Sequence, residues 1–248
     1  VLNFDKAKGY LIGPENKGLN CMFTFMNTAR IGTAIQGLTA AELAFQGGLS
    51  YAKERLAMRA LSGAKAPEQV ADPIIVHPAV RNMVLTCKAF AEGGRALVYY
   101  LSQFSDVVTK GEGETKAYAD QMLSFLTPIA KAFLTETGYE AANHGVQVYG
   151  GHGYIREWGM EQIVRDTRIS QIYEGTNGIQ SLDLLGRKVV KNGGAFVTTY
   201  VQEMRDFANN MNADHAIKQA ILTSADKLED LTKAVVAAAA VNKDEING

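Results

Sequence analysis

Three long stretches of this chain repeat apolar residues at steps of three and four, a periodicity that confines it to a helical architecture. In the first, Ile31, Ile35, Leu38, Phe45, Leu49, Ala52 and Leu56 share a face broken only at Glu42. Gly32, Gly37, Gly47 and Gly48 lower helix propensity there but admit close approach of a neighbouring helix. The second runs from about residue 79 to 109 and is striped by Met83, Cys87, Phe90, Gly94, Leu97 and Leu101. The third, about 115–148, is striped by Met122, Leu126, Ile129 and Phe133, and Pro128 inside it should bend the helix or cost a hydrogen bond. Between the first two, Gly63, Pro67, Pro73 and Pro78 mark residues 63–78 as loop. Three long amphipathic helices joined by modest loops predict an all-α, up-and-down bundle of the four-helix type.

Appendages are expected at both ends. The polar opening, with weak alternation around Tyr10–Ile12, reads as a short β remnant, so residues 1–19 are assigned to the end of a truncated β-domain. Residues 20–191 form the bundle and 192–248 a helical C-terminal extension, itself truncated. In that extension Ile217, Ile221, Leu228, Leu231, Val235 and Ala238 make a narrow stripe that needs a partner helix, and no obvious one follows it.

Composition excludes several classes of partner. The formal net charge of −1 gives no field that would draw nucleic acid or anionic lipid. No apolar run approaches the roughly 20 residues needed to cross a bilayer. Only Cys21 and Cys87 are present, outside any CxxC pair or histidine cluster, so neither a disulfide framework nor a metal site is expected. This fits a reducing compartment, and the expected location is a bacterial cytoplasm rather than a mitochondrial matrix.

The residues able to do chemistry gather in a glycine-rich middle: YGGHGY (Tyr149–Tyr154) and, twenty residues on, YEGTNG (Tyr173–Gly178). Glu174 lies between an aromatic ring and a glycine. Read blandly it is a first-turn acid complementing the dipole of a helix capped by Thr176 and running to Lys191 before Gly193–Gly194. Read functionally it is a base, because a carboxylate in a turn can be aimed into a cleft and made basic when an apolar substrate expels water. Gly150, Gly151 and Gly153 are a helix C-cap and turn, or a place where ligand phosphates touch backbone. The pattern is not a GxGxxG after a strand, so it argues nothing for a Rossmann fold. Arg55, in KERLAMRA, ends the first helix; Arg30, in NTARIG, lies about seven turns earlier among apolar neighbours and should have an acidic partner. Arg165, Asp166 and Arg168 read as a surface charge set.

As an ordered set, YGGHGY followed by VRDTRISQIYEGTNGIQ, with NTARIG and KERLAMRA upstream, closely resembles the C-terminal helical domain of the FAD-dependent acyl-CoA dehydrogenase family. The resemblance covers about residues 10–190. LDLLGRK (Leu182–Lys188) and the helical tail look most like the branch containing the 3-methylmercaptopropionyl-CoA dehydrogenases.

The resemblance implies that Glu174 is the base removing the α-proton of an acyl-CoA thioester while the β-hydrogen leaves as hydride to the flavin, giving a trans-2-enoyl-CoA. It implies FAD contacts from Arg55, Gln147, Gly150, Gly151 and Thr176, with Arg55, Gln147 and Gly151 reaching the pyrophosphate across a subunit interface, and substrate contacts from Arg30, Tyr173 and Gly175. It implies no metal. The implied partners are an acyl-CoA, an electron-transfer flavoprotein and further copies of the chain in a homodimer or homotetramer. Met58 and Arg59 stand where many members have Phe-Gly, Asn27 replaces a common aspartate and Gly178 a common glutamine. Without the family's other domains the chain alone is expected to hold FAD weakly and to be inert. The competing expectations are an acyl-CoA oxidase, which would release peroxide, and a non-catalytic helical interaction module of the same fold.

Overall fold

A computed structural model describes residues 2–247. Eight α-helices follow one another among them: α1 (Gly18–Met22), α2 (Met26–Glu54), α3 (Pro78–Lys110), α4 (Gly113–Tyr149), α5 (Met160–Arg168), α6 (Asn177–Leu182), α7 (Ala195–Asn210) and α8 (His215–Val241). The expected all-α bundle is what forms, around α2, α3 and α4. Helix α4 runs through Pro128 without a break in its assignment, and Pro128 is buried. The expected β remnant takes no strand conformation: residues 2–17 are exposed and irregular, and the bridge between Leu56 and Pro73 lies elsewhere. A strand needs a neighbour to complete its hydrogen-bond ladder, and none of the described residues supplies one.

The face that α2 buries is narrower in side-chain volume than the predicted stripe. Ala34, Gly37, Ala41, Ala44 and Gly48 turn inward, whereas Ile35 is 41% exposed. Close helix approach explains the difference. A Cβ on Gly37 would lie 2.0 Å from the Leu134 carbonyl oxygen, and one on Gly138 would lie 2.2 Å from the Gly37 carbonyl oxygen. Backbone meets backbone at this crossing of α2 and α4, so bulk is excluded and the larger Ile35 and Leu43 are left on another face. Gly138→Ala should therefore destabilise the bundle by about 2–3 kcal/mol through overpacking, read as a lower urea midpoint with an unchanged slope.

Helix α7, which precedes α8, packs on it, but the predicted stripe of α8 is only partly covered. Leu228 packs on the core, whereas Ile217 and Leu231 are 53% and 65% exposed and Ala238 is exposed, the inward face being carried instead by Ala225, Val236 and Ala239. The α7–α8 hairpin buries Val197, Val201 and Ala225 in one cluster with Leu101, Met122, Phe125 and Leu126 of the bundle. Tyr100 and Tyr118 both donate to the Glu203 carboxylate of α7. Cys87 is structural: its thiol donates to the Ala141 carbonyl, and burial pushes it up to about 11.

After α6 the backbone widens into a π-helix over Asp183–Val189 and tightens into a 3-10 turn over Val190–Asn192. The predicted helix to Lys191 is thus continuous but not uniformly α. Gly193 and Gly194 end it in left-handed conformations, with φ of 62° and 84°.

Candidate active site

The segment Tyr173–Gly178 forms a tight turn before α6. Glu174 has φ of 57° and Gly175 φ of 83°, so two successive residues are left-handed. For a non-glycine residue this is uncommon and is held only where surroundings fix it. Here the fixing groups are visible. The Gln180 side-chain amide donates to the Glu174 and Gly175 carbonyls, each at 3.1 Å. A Cβ on Gly175 would sit 2.8 Å from that same amide nitrogen, so a side chain there would displace the amide and strain a left-handed backbone. Thr176 is the N-cap as expected, its hydroxyl accepting from the Ile179 N–H at 3.2 Å. Glu174 stands two residues before that cap, outside the first turn of the helix, so the reading as a first-turn acid does not describe its place.

Beneath the turn lies a buried polar layer that sequence reasoning missed. Lys131, fully buried on α4, donates to the Gly175 carbonyl and to Asn177 Oδ1, both at 2.9 Å. Asn177 in turn donates to Thr135 Oγ1 and Glu136 Oε1, and Gln171 donates to Glu136 Oε2. Burial, reinforced by the nearby Arg30 cation, pushes the Lys131 ammonium down to about 8. The one available signal was register: Lys131 falls in line with Leu123, Thr127 and Leu134 on the buried face of α4.

Arg30 finds its acid in Asp183, 153 residues away, with Nη1 2.7 Å from Oδ2 and the two side chains 8% and 6% exposed. Arg30 is thereby turned into the bundle behind the turn, and Asp183 also meets the exposed Arg187 at 3.5 Å. Tyr173 faces a different place, a groove of about 470 Å³ between α2 and α5 lined by Ile35, Leu43, Ile163 and Ile169.

The remaining predicted residues collect at the other end of α2. Arg55, Gly150 and Gly151 line a groove of about 360 Å³ with Tyr51, Tyr149 and His152. Gln147 is exposed one turn earlier on α4, and its carbonyl accepts from the Gly150 N–H. No neighbouring atom approaches the places where Cβ atoms of Gly150 and Gly151 would be, so backbone is open to the groove. Guanidinium and bare backbone on one groove suit a pyrophosphate. His152 is held by the Tyr51 hydroxyl at 2.9 Å and stacks on Trp158 at 4.7 Å between ring centroids.

The loop presenting Arg55 is strapped by Asp72. Its carboxylate accepts from the backbone N–H groups of Ala60, Lys65 and Ala66 and from the Arg59 guanidinium. Burial alone would push this carboxyl up, but those four donors outweigh it and hold the group well below the usual range. Arg59 also donates to the Ala66 and Gln69 carbonyls, so it spends its donors inside the loop.

Residues 16–189 match the family described as acyl-CoA dehydrogenase, C-terminal domain. The chain belongs to the acyl-CoA dehydrogenase family. It is 43% identical over 221 residues to the 3-methylmercaptopropionyl-CoA dehydrogenase of Ruegeria pomeroyi, covering 89% of this chain and 37% of that protein. It is 32% identical over 231 residues to a butyryl-CoA dehydrogenase of Syntrophomonas wolfei, with the same coverage of 89% and 37%. The chain thus spans little more than a third of the length of these relatives. In fold it is similar to Caenorhabditis elegans ACDH-11 solved with C11-CoA, at TM-score 0.78 and 19% identity, covering 94% of this chain and 37% of that one. The acyl-CoA dehydrogenase family is FAD-dependent. Among the described residues of this member no helix is long and apolar enough to cross a membrane, and no cluster of three or more His, Cys, Asp or Glu could hold a metal.

Proposed function

We propose that this chain is the C-terminal helical part of an enzyme that oxidises an acyl-CoA thioester to the trans-2-enoyl-CoA, with Glu174 as the base. The observation that carries the reading is the fixed turn: a carboxylate on two left-handed residues, pinned through its own carbonyls and left partly accessible. The main chain that carries the side chain is fixed in advance, which limits the freedom lost when the carboxylate takes the α-proton. The apolar groove at Tyr173, next to Glu174 in sequence, suits an apolar group. When bound, FAD supplies the acceptor for the β-hydrogen, which leaves as hydride.

Arg55, Gln147, Gly150 and Gly151 are the residues that would hold the FAD pyrophosphate. Arg30 on α2 and Arg55 at its C-cap are 25 residues apart, about 37 Å along a helix axis, so the turn and the Arg55 groove sit at opposite ends of one helix. That separation supports the two clusters serving cofactors in different copies, and hence a homodimer or homotetramer. Thr176 is assigned to the flavin and Gly175 to the thioester by the family resemblance, as is electron transfer to an electron-transfer flavoprotein. Arg30 is assigned near the CoA chain by the same resemblance, and here its guanidinium is turned to Asp183 inside the bundle. The 248-residue chain by itself is expected to bind FAD weakly and to be inert.

Anaerobic titration of the complete polypeptide with acyl-CoA thioesters tests the reading. Stoichiometric bleaching of the flavin absorbance with formation of the enoyl-CoA is expected. No bleaching by any straight-chain, branched or thioether acyl-CoA would refute it, and peroxide release in air would place the enzyme among the oxidases.

A further inference from the structure

The buried layer under the turn holds more positive charge than it neutralises. Arg30 and Lys131 are both buried cations, and Asp183 is the buried carboxylate that answers Arg30. Lys131 has no carboxylate of its own within hydrogen-bonding distance; its ammonium is spent on the Gly175 carbonyl and Asn177 Oδ1. A buried ammonium is costly unless it is hydrogen-bonded and electrostatically answered. The acidic groups facing it are Glu136 on its own helix and Glu174 on the turn, while Arg30 faces it from α2. Glu136 is exposed and occupied by Gln171 and Asn177. Glu136 and, after it, the Glu174 carboxylate carry the negative charge that answers the ammonium, and the main-chain contact at Gly175 ties Lys131 to the turn that bears Glu174.

We propose that Lys131 is a positioning residue for Glu174: it clamps the Gly175 carbonyl and Asn177 from below and offers the carboxylate a fixed counter-charge. The assignment rests on the reading of Glu174 as the base. Depressed by burial to about 8, the ammonium remains charged at neutral pH and keeps both hydrogen bonds. Losing it loosens the turn, which costs orientation, and removes a cation from beside the carboxylate.

The test uses the complete FAD-loaded polypeptide carrying Lys131→Met, which keeps the stem and deletes the charge. The expected results are a kcat lowered about 10²-fold with KM within twofold and an acid limb of kcat/KM moved up by roughly half a pH unit or more. Hydrogen exchange should quicken at least about tenfold in residues 173–180 and stay unchanged in α3 and α7. Unchanged kcat and acid limb, or exchange that quickens throughout the bundle, would overturn the proposal. If Lys131→Met does not fold, Asn177→Ala must show the same kinetic and local-exchange pattern in weaker form, and wild-type behaviour there overturns it equally. Glu174→Gln run in parallel separates the two ideas. Full activity in Glu174→Gln sinks the base, whereas an inactive Glu174→Gln beside an unaffected Lys131→Met sinks only the clamp.

Discussion

Glu174→Gln should lower kcat by about 10³-fold or more while FAD and acyl-CoA remain bound, because a positioned general base contributes some 10²–10⁴-fold. Glutamine keeps the size and shape of the side chain but replaces the basic carboxylate by a neutral amide too weakly basic to take the α-proton. The turn should survive the change, since Gln180 and Lys131 hold main-chain oxygens of residues 174 and 175 and not the carboxylate itself. Glutamine also meets the same left-handed backbone that glutamate already occupies. KM should stay within a fewfold, and the loss should fall on kcat, the pattern of an interaction made at the transition state. Steady-state rates with an artificial electron acceptor, alongside flavin content per polypeptide, measure both quantities. A fall of less than tenfold would move the base to another residue.

Arg30→Met should cost about 3–5 kcal/mol of stability, the usual penalty for leaving half of a buried ion pair without its partner. Asp183 would then keep only Arg187, which is 68% exposed and 3.5 Å away. The damage should reach the turn as well, because Asp183 opens the π-helical stretch that follows α6. Arg30→Met combined with Asp183→Leu should recover most of the loss, since well-packed apolar replacements of a buried pair are often neutral. Urea unfolding followed by circular dichroism, arranged as a double-mutant cycle, reads the coupling directly. Additive losses would show that the two side chains do not act as a pair.

The three long helices were legible because their apolar periods are local, and so were the turn at Glu174 and the cap at Thr176, which short motifs specify. What was not legible is long-range. Arg30 announced that it needed an acid, but nothing near it in sequence could name Asp183, which only folding brings within 2.7 Å. Lys131 was masked differently: one lysine in a buried register reads as a surface residue until its partners at Gly175 and Asn177 are seen. On α2, Ile31, Leu38 and Ala52 are buried as expected, but Ile35 is not and the small inward residues were passed over, because large residues score higher than small ones in a hydrophobic stripe. A backbone crossing at Gly37 and Gly138 rewards the opposite choice. Helix α7 went unread because its inward residues, Val197, Val201 and Ala208, are few and spaced among polar ones. It packs on a face of α8 that carries Ala225, Leu228 and Val236, and leaves Ile217 and Leu231 of the predicted stripe exposed.

Deuterium exchange at the α-carbon of an acyl-CoA that has α-hydrogens but no β-hydrogen, such as phenylacetyl-CoA, isolates the proton step, since no hydride can leave. In D2O the complete FAD-loaded polypeptide should incorporate deuterium at the α-carbon, and Glu174→Gln should slow this by about 10³-fold or more with the ligand still bound. Incorporation by Glu174→Gln at the unsubstituted rate would show that a different group takes the proton.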